Sequence, residues 1–418
     1  MLLIFYIFVI RLSFTAAGTG DVPKWQEYVK VSVSKPYNEL FPACLNYQCP
    51  FPYYDGTYPP GYFLLYYIFS QILPVDILGT FTTVKLIIFF FYMLTLLTLI
   101  SINFWKDRHA QSFSTIVMST LVLFGTVISI GVNSLGLGYT DIFIYPFIAA
   151  SIFLLWRGKL FLSGLLFAAG TLIKWQPLIF LPFLIIYLFK SSRTTPMKLK
   201  NVFIFFLGAF IPVVMFLPLN PNQIPVMFYA VTQGAYMDHV FSSALNVQWI
   251  STYLLHIIFP ALFGPLADGL NSYIVVREAF TGLLQLPKLF FWLAYGLVVL
   301  KFMRARVENA FLFRYFLLTA IVGYSTYFMF SSGVHENHLS VAVLLSLILY
   351  IIYPQPKTRI FLFFFDMAHL VNMAIFYGFT GSPIISSVGR VDLSIPLTVF
   401  SIIGYMLLLR CWDSPKSS

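Results

Sequence analysis

Apolar runs separated by short basic clusters constrain this chain more than any other feature of its sequence. A helix crossing the hydrocarbon core of a bilayer needs about 20 mostly apolar residues. The run 77–105 meets that length and ends in the basic cap Lys106-Asp107-Arg108-His109. Further basic clusters stand at Arg157 and Lys159, at Lys190, Arg193, Lys198 and Lys200, across 301–314, and across 354–359. Only 10% of residues are charged and 59% are hydrophobic, whereas a soluble domain carries about 25% charge. The mean hydropathy of +0.85 likewise places the chain in lipid. Its formal charge of +10 then reads as Lys and Arg gathered in cytoplasmic loops, not as a nucleic-acid surface.

Placing each basic cluster inside fixes the direction of every run. Residues 1–17 are expected to be a retained first span, because Arg11 lies within the apolar run and not ahead of it. Residues 18–76 form an extracytoplasmic first loop. Within that loop, the apolar run 60–73 is too short to cross and would put the Lys106 cap outside if it did. It is expected to lie as a helix on the outer surface. Spans follow near 113–132, 142–156, 160–173, 178–189 and 202–217, and then a second large outer loop at 218–249. Parity requires 250–286 to hold two short spans or none. Spans near 289–300, 315–330, 339–353, 360–379 and 395–409 leave the C-terminus inside, with the N-terminus. The expected fold is a single-domain (1–418), all-α polytopic transmembrane bundle of about 12 to 14 spans, with interfacial helices in the first loop. No tandem repeat is present, so an inverted-repeat transporter gains no support.

The threading collects Asp21, Asp55, Asp141, Asp238 and His335-Glu336-Asn337-His338 on the outer side. Ionisable groups at the ends of spans are costly and read as functional by default. Asp21, after Gly18-Thr19-Gly20, is placed to serve as a general base toward a hydroxyl; its plainer role is to cap the following helix. Asp141, in Gly136-Leu137-Gly138-Tyr139-Thr140-Asp141, caps a helix in its plainer reading, and the glycines beside it let another chain or a substrate approach the backbone closely. Lys174 is a lone cation in Ile173-Lys174-Trp175-Gln176-Pro177; it either snorkels to the interface or meets a phosphate-bearing head group. His335 and His338, three apart, share a face if helical, and with Glu336 they can hydrogen-bond a phosphate or a sugar hydroxyl. Their spacing does not suit zinc, and no metal or other cofactor is expected. Cys44 and Cys49 can close a small disulfide if the first loop faces an oxidising compartment. No Walker loop, dinucleotide turn or nucleophile elbow is present. A nucleotide donor would need a cytoplasmic domain, so the group transferred must come from a molecule already in the bilayer.

The opening of the chain, Gly20-Asp21, then Trp25 and Tyr28, then Asp55-Gly56-Thr57-Tyr58-Pro59-Pro60, resembles the GT-C superfamily of membrane glycosyltransferases. In layout it is similar to the dolichyl-phosphate-glucose-dependent α-1,3-glucosyltransferases of N-glycan assembly. Ile173-Lys174-Trp175-Gln176 echoes that family's Lys-Gln element, and His335-Glu336-Asn337 its late His-Glu-Lys motif. Trp175 separates the Lys-Gln pair here, and Asn337 stands where the family has lysine. The resemblance implies inverting transfer of a hexose, glucose or mannose, from a polyprenyl-phosphate carrier. The acceptor hydroxyl would belong to a lipid-linked glycan, a glycolipid or a protein. It implies Asp21 as the catalytic base and Lys174, His335 and His338 as groups meeting the leaving phosphate. Tyr58, Pro59 and Pro60 would shape the loop over the site, with Asp55, Asp141, Gln176 and Glu336 binding or orienting substrate. The membrane would be the plasma membrane in a prokaryote and the endoplasmic reticulum in a eukaryote. A lipid-sugar flippase or other secondary transporter is the chief alternative, and an accessory subunit is a third. Transporters concentrate polar groups near mid-membrane, whereas most polar clusters here sit at one end of the spans and mid-span charge is limited to cases such as Arg11, Lys85, Asp366 and His369.

Overall fold

Thirteen-residue helices stand beside helices of 22 to 30 residues in this chain, and the difference in length sets the position of its polar centre. The computed structural model describes residues 2–37, 58–105, 113–192, 194–216, 244–272, 274, 281–378, 387–388 and 391–413. Asp55, Cys44, Cys49, Asp238 and most of the second outer loop lie outside these residues.

The described chain is a helical bundle. Helix α1 (Leu2–Thr15) leads to α2 (Val22–Ser34), α3 (Pro60–Ile72), α4 (Val75–Phe104) and α5 (Phe113–Gly131). Then come α6 (Tyr145–Trp156), α7 (Leu160–Ile173), α8 (Leu181–Lys190), α9 (Thr195–Phe216) and α10 (Val247–Ile258). The last five are α11 (Thr281–Arg304), α12 (Asn309–Phe330), α13 (Ser340–Ile352), α14 (Pro356–Tyr377) and α15 (Ser394–Asp413). A two-residue antiparallel ladder pairs Ser387–Val388 with Val391–Asp392. Among the described residues, seven helices are long and apolar enough to cross a membrane, and six more apolar helices are shorter. The protein is therefore a multi-pass, all-helical membrane bundle in its described part.

Every residue of α13 is buried, as is almost all of α12. A helix apolar on all sides has no solvent face to present and belongs at the centre of a bundle. Around it, α1, α9 and α11 expose Phe8, Phe203, Phe210, Phe290 and Trp292, the surface expected of lipid-facing helices. Helices α7 and α9 cross where Gly164 and Gly208 face each other. A Cβ on Gly208 would sit 2.0 Å from the Phe161 carbonyl, and one on Gly164 1.9 Å from that of Phe205. Small residues let membrane helices approach this closely. Gly208→Val is expected to destabilise the bundle by about 1–3 kcal/mol through overpacking, read as a lower melting temperature in detergent. An unchanged melting temperature would contradict this crossing.

The helix ends sort by charge. At one end Arg157 stacks on Trp105, Lys190 donates to the Ala305 carbonyl, Lys301 pairs with Asp413, and Arg314 bonds Gln355. At the opposite end, buried Lys85 of α4 donates to the carbonyls of Ser13, Leu135 and Gly136. A cation there satisfies helix C-terminal carbonyls that have no partner within their own helices. Lys85 was expected at mid-span; its partners place it instead at the end of α1 and at the turn that follows α5.

Several boundaries depart from the hydropathy pattern. Helix α9 begins at Thr195, so Lys198 and Lys200 are helical and not in a loop. Likewise α12 begins at Asn309 and takes in Arg314. A basic end can extend as helix past the point where apolar residues stop, because Lys and Arg are good helix formers. The second outer loop, expected to reach 249, ends earlier, at the start of α10. Where parity asked for two crossings or none, the residues described between 247 and 274 hold one twelve-residue helix followed by the single turn Pro260–Phe263.

Candidate functional site

Three loops meet at the end of the bundle opposite the basic cluster. The first continues α5 as a π turn, Val132–Gly136, and then a 3-10 turn, Thr140–Phe143, that carries Asp141 in its first turn. The second follows α7, where Lys174 leaves the helix in an extended conformation ahead of the 3-10 turn Gln176–Phe180. Pro177 has no N–H to give the Ile173 carbonyl, so the hydrogen-bond ladder of α7 cannot run on through it. The third is the 3-10 turn Glu336–Leu339 that opens α13.

Their side chains form one buried cluster. Lys174 Nζ lies 3.0 Å from Asp141 Oδ1, and Asn337 Nδ2 donates to Asp141 Oδ2 at 2.7 Å. Asp141, Lys174, Asn337 and His338 are all at least nine-tenths buried. Lys174 does not snorkel to an interface, because Asp141 supplies its counter-charge in place. His338 Nδ1 accepts from the His335 backbone N–H at 3.2 Å, so the Tyr327 hydroxyl, 3.3 Å from the same nitrogen, must donate as well. That network puts the ring proton on Nε2. Burial first, then the nearby His335 and Lys174, holds the His338 imidazole well below its ordinary range. It is therefore a neutral ring able to donate one N–H. His335 and His338 stack edge to face at 5.7 Å. Trp175 packs edge-on against Tyr327, and the buried Gln176 leaves its amide oxygen without a hydrogen bond.

The first loop docks onto this cluster through its Tyr-Pro-Pro-Gly stretch. Pro59 and Pro60 start α3, where missing N–H groups cost nothing. A Cβ on Gly61 would lie 2.5 Å from the Leu172 carbonyl, so only glycine brings α3 against the end of α7. Two residues beyond Leu172, Lys174 Nζ sits 5.3 Å from the Tyr58 ring centroid, a cation–π contact. Tyr58 stacks on Tyr62 at 4.3 Å, and Tyr62 donates to Thr140 Oγ1 at 2.9 Å. Gly61→Val is expected to push Tyr58 off Lys174 and to lower melting temperature and activity together. Gly296→Val, where a Cβ meets nothing, serves as the neutral control.

Asp21 reaches the same region by its backbone. Thr19 N–H donates to the Leu137 carbonyl at 2.8 Å, and Val22 fills the space left by Gly18 and Gly138, both at positive φ. The Asp21 carboxylate is partly exposed, pairs with Lys24 at 3.4 Å, and makes no capping hydrogen bond to α2. The capping role is thus not made, and the carboxylate does not bond the Asp141 cluster directly.

Of the residues singled out from sequence, Asp141, Lys174, Tyr58, His335 and His338 come together, with Pro59, Pro60 and Gln176 adjoining. Glu336 is in the turn, but its side chain, like all of Asp55, falls outside the described residues. Asn337, Thr140 and Tyr62 were missed. Only Asn337 gave a signal, its place inside the His335–His338 cluster. Among the described residues, no three His, Cys, Asp or Glu side chains are grouped to hold a metal ion. Comparison with family models finds no match to the chain, and comparison with curated proteins finds none either.

Proposed function

We propose that the chain is a GT-C-type membrane glycosyltransferase moving a hexose, glucose or mannose, from a polyprenyl-phosphate carrier to an acceptor hydroxyl. The acceptor is a lipid-linked glycan, a glycolipid or a protein. The observation that carries this reading is the buried Lys174–Asp141–Asn337 cluster, held against Tyr58 of the first loop at the end away from the basic residues. The positive-inside rule makes the basic end cytoplasmic, which puts the cluster on the extracytoplasmic side. The seven long and six shorter apolar helices are compatible with a GT-C bundle of about 12 to 14 spans.

In this reading Asp21 takes the proton of the acceptor hydroxyl as its oxygen attacks the anomeric carbon. The carbon–oxygen bond to phosphate breaks with inversion, and the lipid phosphate leaves with the electron pair. A phosphate leaving group needs hydrogen bonds or positive charge but no strong acid. Asp141 cancels the charge of Lys174, so the pair supplies directed N–H groups more than net charge. The remaining Lys174 and Asn337 N–H groups and the Nε2–H of His338 are the donors.

Incubating the purified protein with a panel of polyprenyl-phosphate hexoses tests the proposal. Release or transfer of sugar from at least one donor is expected. Folded protein that cleaves none of them, yet moves a lipid-linked sugar across vesicles, would replace the transferase with a flippase.

A further inference from the structure

A groove of about 520 Å³ lies between α5 and α14, lined by none of the cluster's residues. Leu121, Gly125 and Thr126 line it on one side, and Arg359, Phe363 and Asp366 on the other. Its walls are almost wholly apolar, and Leu121 and Phe363 at its mouth are exposed on the face of two helices long enough to span. Two ionisable groups break that lining. Arg359 stands at its lower end, at the basic end of the bundle. Asp366 is two helical turns further in, about 10 Å along the helix, and is buried beside Ser129 with Oδ1 making no hydrogen bond. Gly125 has open space where a side chain would be.

We propose that this groove binds one anionic glycerophospholipid, its phosphate on Arg359, its glycerol-ester region at Asp366 and one acyl chain along Gly125 and Phe363. An occupant must be amphipathic, because the groove opens at the depth of the spans. It must be anionic at the Arg359 end, where basic side chains attract acidic head groups. It must also carry a hydrogen-bond acceptor within about 10 Å of that charge, since a carboxyl group buried in an apolar wall is neutral and its O–H is costly to leave without a partner. A glycerophospholipid meets all three conditions, whereas a bare hydrocarbon chain or a soluble anion does not. The inference is independent of the proposed transferase.

Native mass spectrometry of the full chain tests it, after delipidation in detergent and addition of dioleoyl-phosphatidylglycerol or dioleoyl-phosphatidylcholine. The wild type is expected to retain one lipid and to favour phosphatidylglycerol about fivefold, the worth of one basic contact near the surface. Arg359→Gln should abolish the preference while keeping one lipid of either kind. Gly125→Leu fills the groove and should lose the lipid. Arg410→Gln, a basic residue elsewhere at the same end, should change nothing. Melting curves check that each variant is folded, and if Gly125→Leu fails to fold, Arg359→Gln still decides. Retention of lipid by folded Gly125→Leu, a preference that survives Arg359→Gln, or an equal loss in Arg410→Gln would each overturn the proposal.

Discussion

Asp141→Ala is expected to lower the folding stability of the protein by about 3–5 kcal/mol, because it leaves Lys174 buried with no counter-charge. The pair is nearly inaccessible on both sides, so water cannot take over the lost partner. Lys174→Met alone should cost a similar amount, leaving a buried carboxylate held only by Asn337. The double variant should recover most of the loss, since neither charge then remains to be desolvated. Thermal denaturation of the four proteins in one detergent closes the cycle. If the double variant is as unstable as the sum of the two singles, the residues are not coupled and the cluster is misjudged. Activity should be absent in all three variants, which separates the role in folding from the role in chemistry.

Asp21→Asn should behave in the opposite way. Its carboxylate is partly exposed and pairs with a surface lysine, an interaction worth about 0–1 kcal/mol. The variant should therefore fold and melt like the wild type. A general base contributes about 10²–10⁴-fold, so sugar transfer should fall by at least the lower figure. Transfer at the wild-type rate would remove Asp21 from the mechanism, and a large drop in melting temperature would make it a structural residue.

Hydropathy revealed the membrane class and most helix positions, because burial in lipid demands the same apolar runs in any such chain. The run 160–173 is the clearest case, matched by α7 from Leu160 to Ile173. The short helix from Pro60 was also legible, since the double proline at its start and its apolar run mark its ends. The pairing of Lys174 with Asp141 was not. They lie 33 residues apart on different loops, and Asn337 lies 196 residues from Asp141. No periodicity relates such positions, and only the packing of α6, α7 and α13 brings them together. The reason for glycine at 61 was equally hidden, because it depends on a carbonyl of another helix. Charge clusters misplaced the starts of α9 and α12, since they record where lipid ends and not where helix does.

The short central helices have a consequence for access. Asp141, Lys174 and Asn337 each stand at the non-basic end of a helix of only 12 to 14 residues, α6, α7 and α13. Each rises about 20 Å through a hydrocarbon layer of about 30 Å. The 3-10 turns Thr140–Phe143 and Glu336–Leu339, which carry Asp141 and Asn337, add about 2 Å per residue. The cluster therefore stands about 25 Å from the basic boundary, about 5 Å below the opposite surface of the hydrocarbon. A reactant dissolved in lipid starts near that depth, whereas one dissolved in water has to enter the remaining layer.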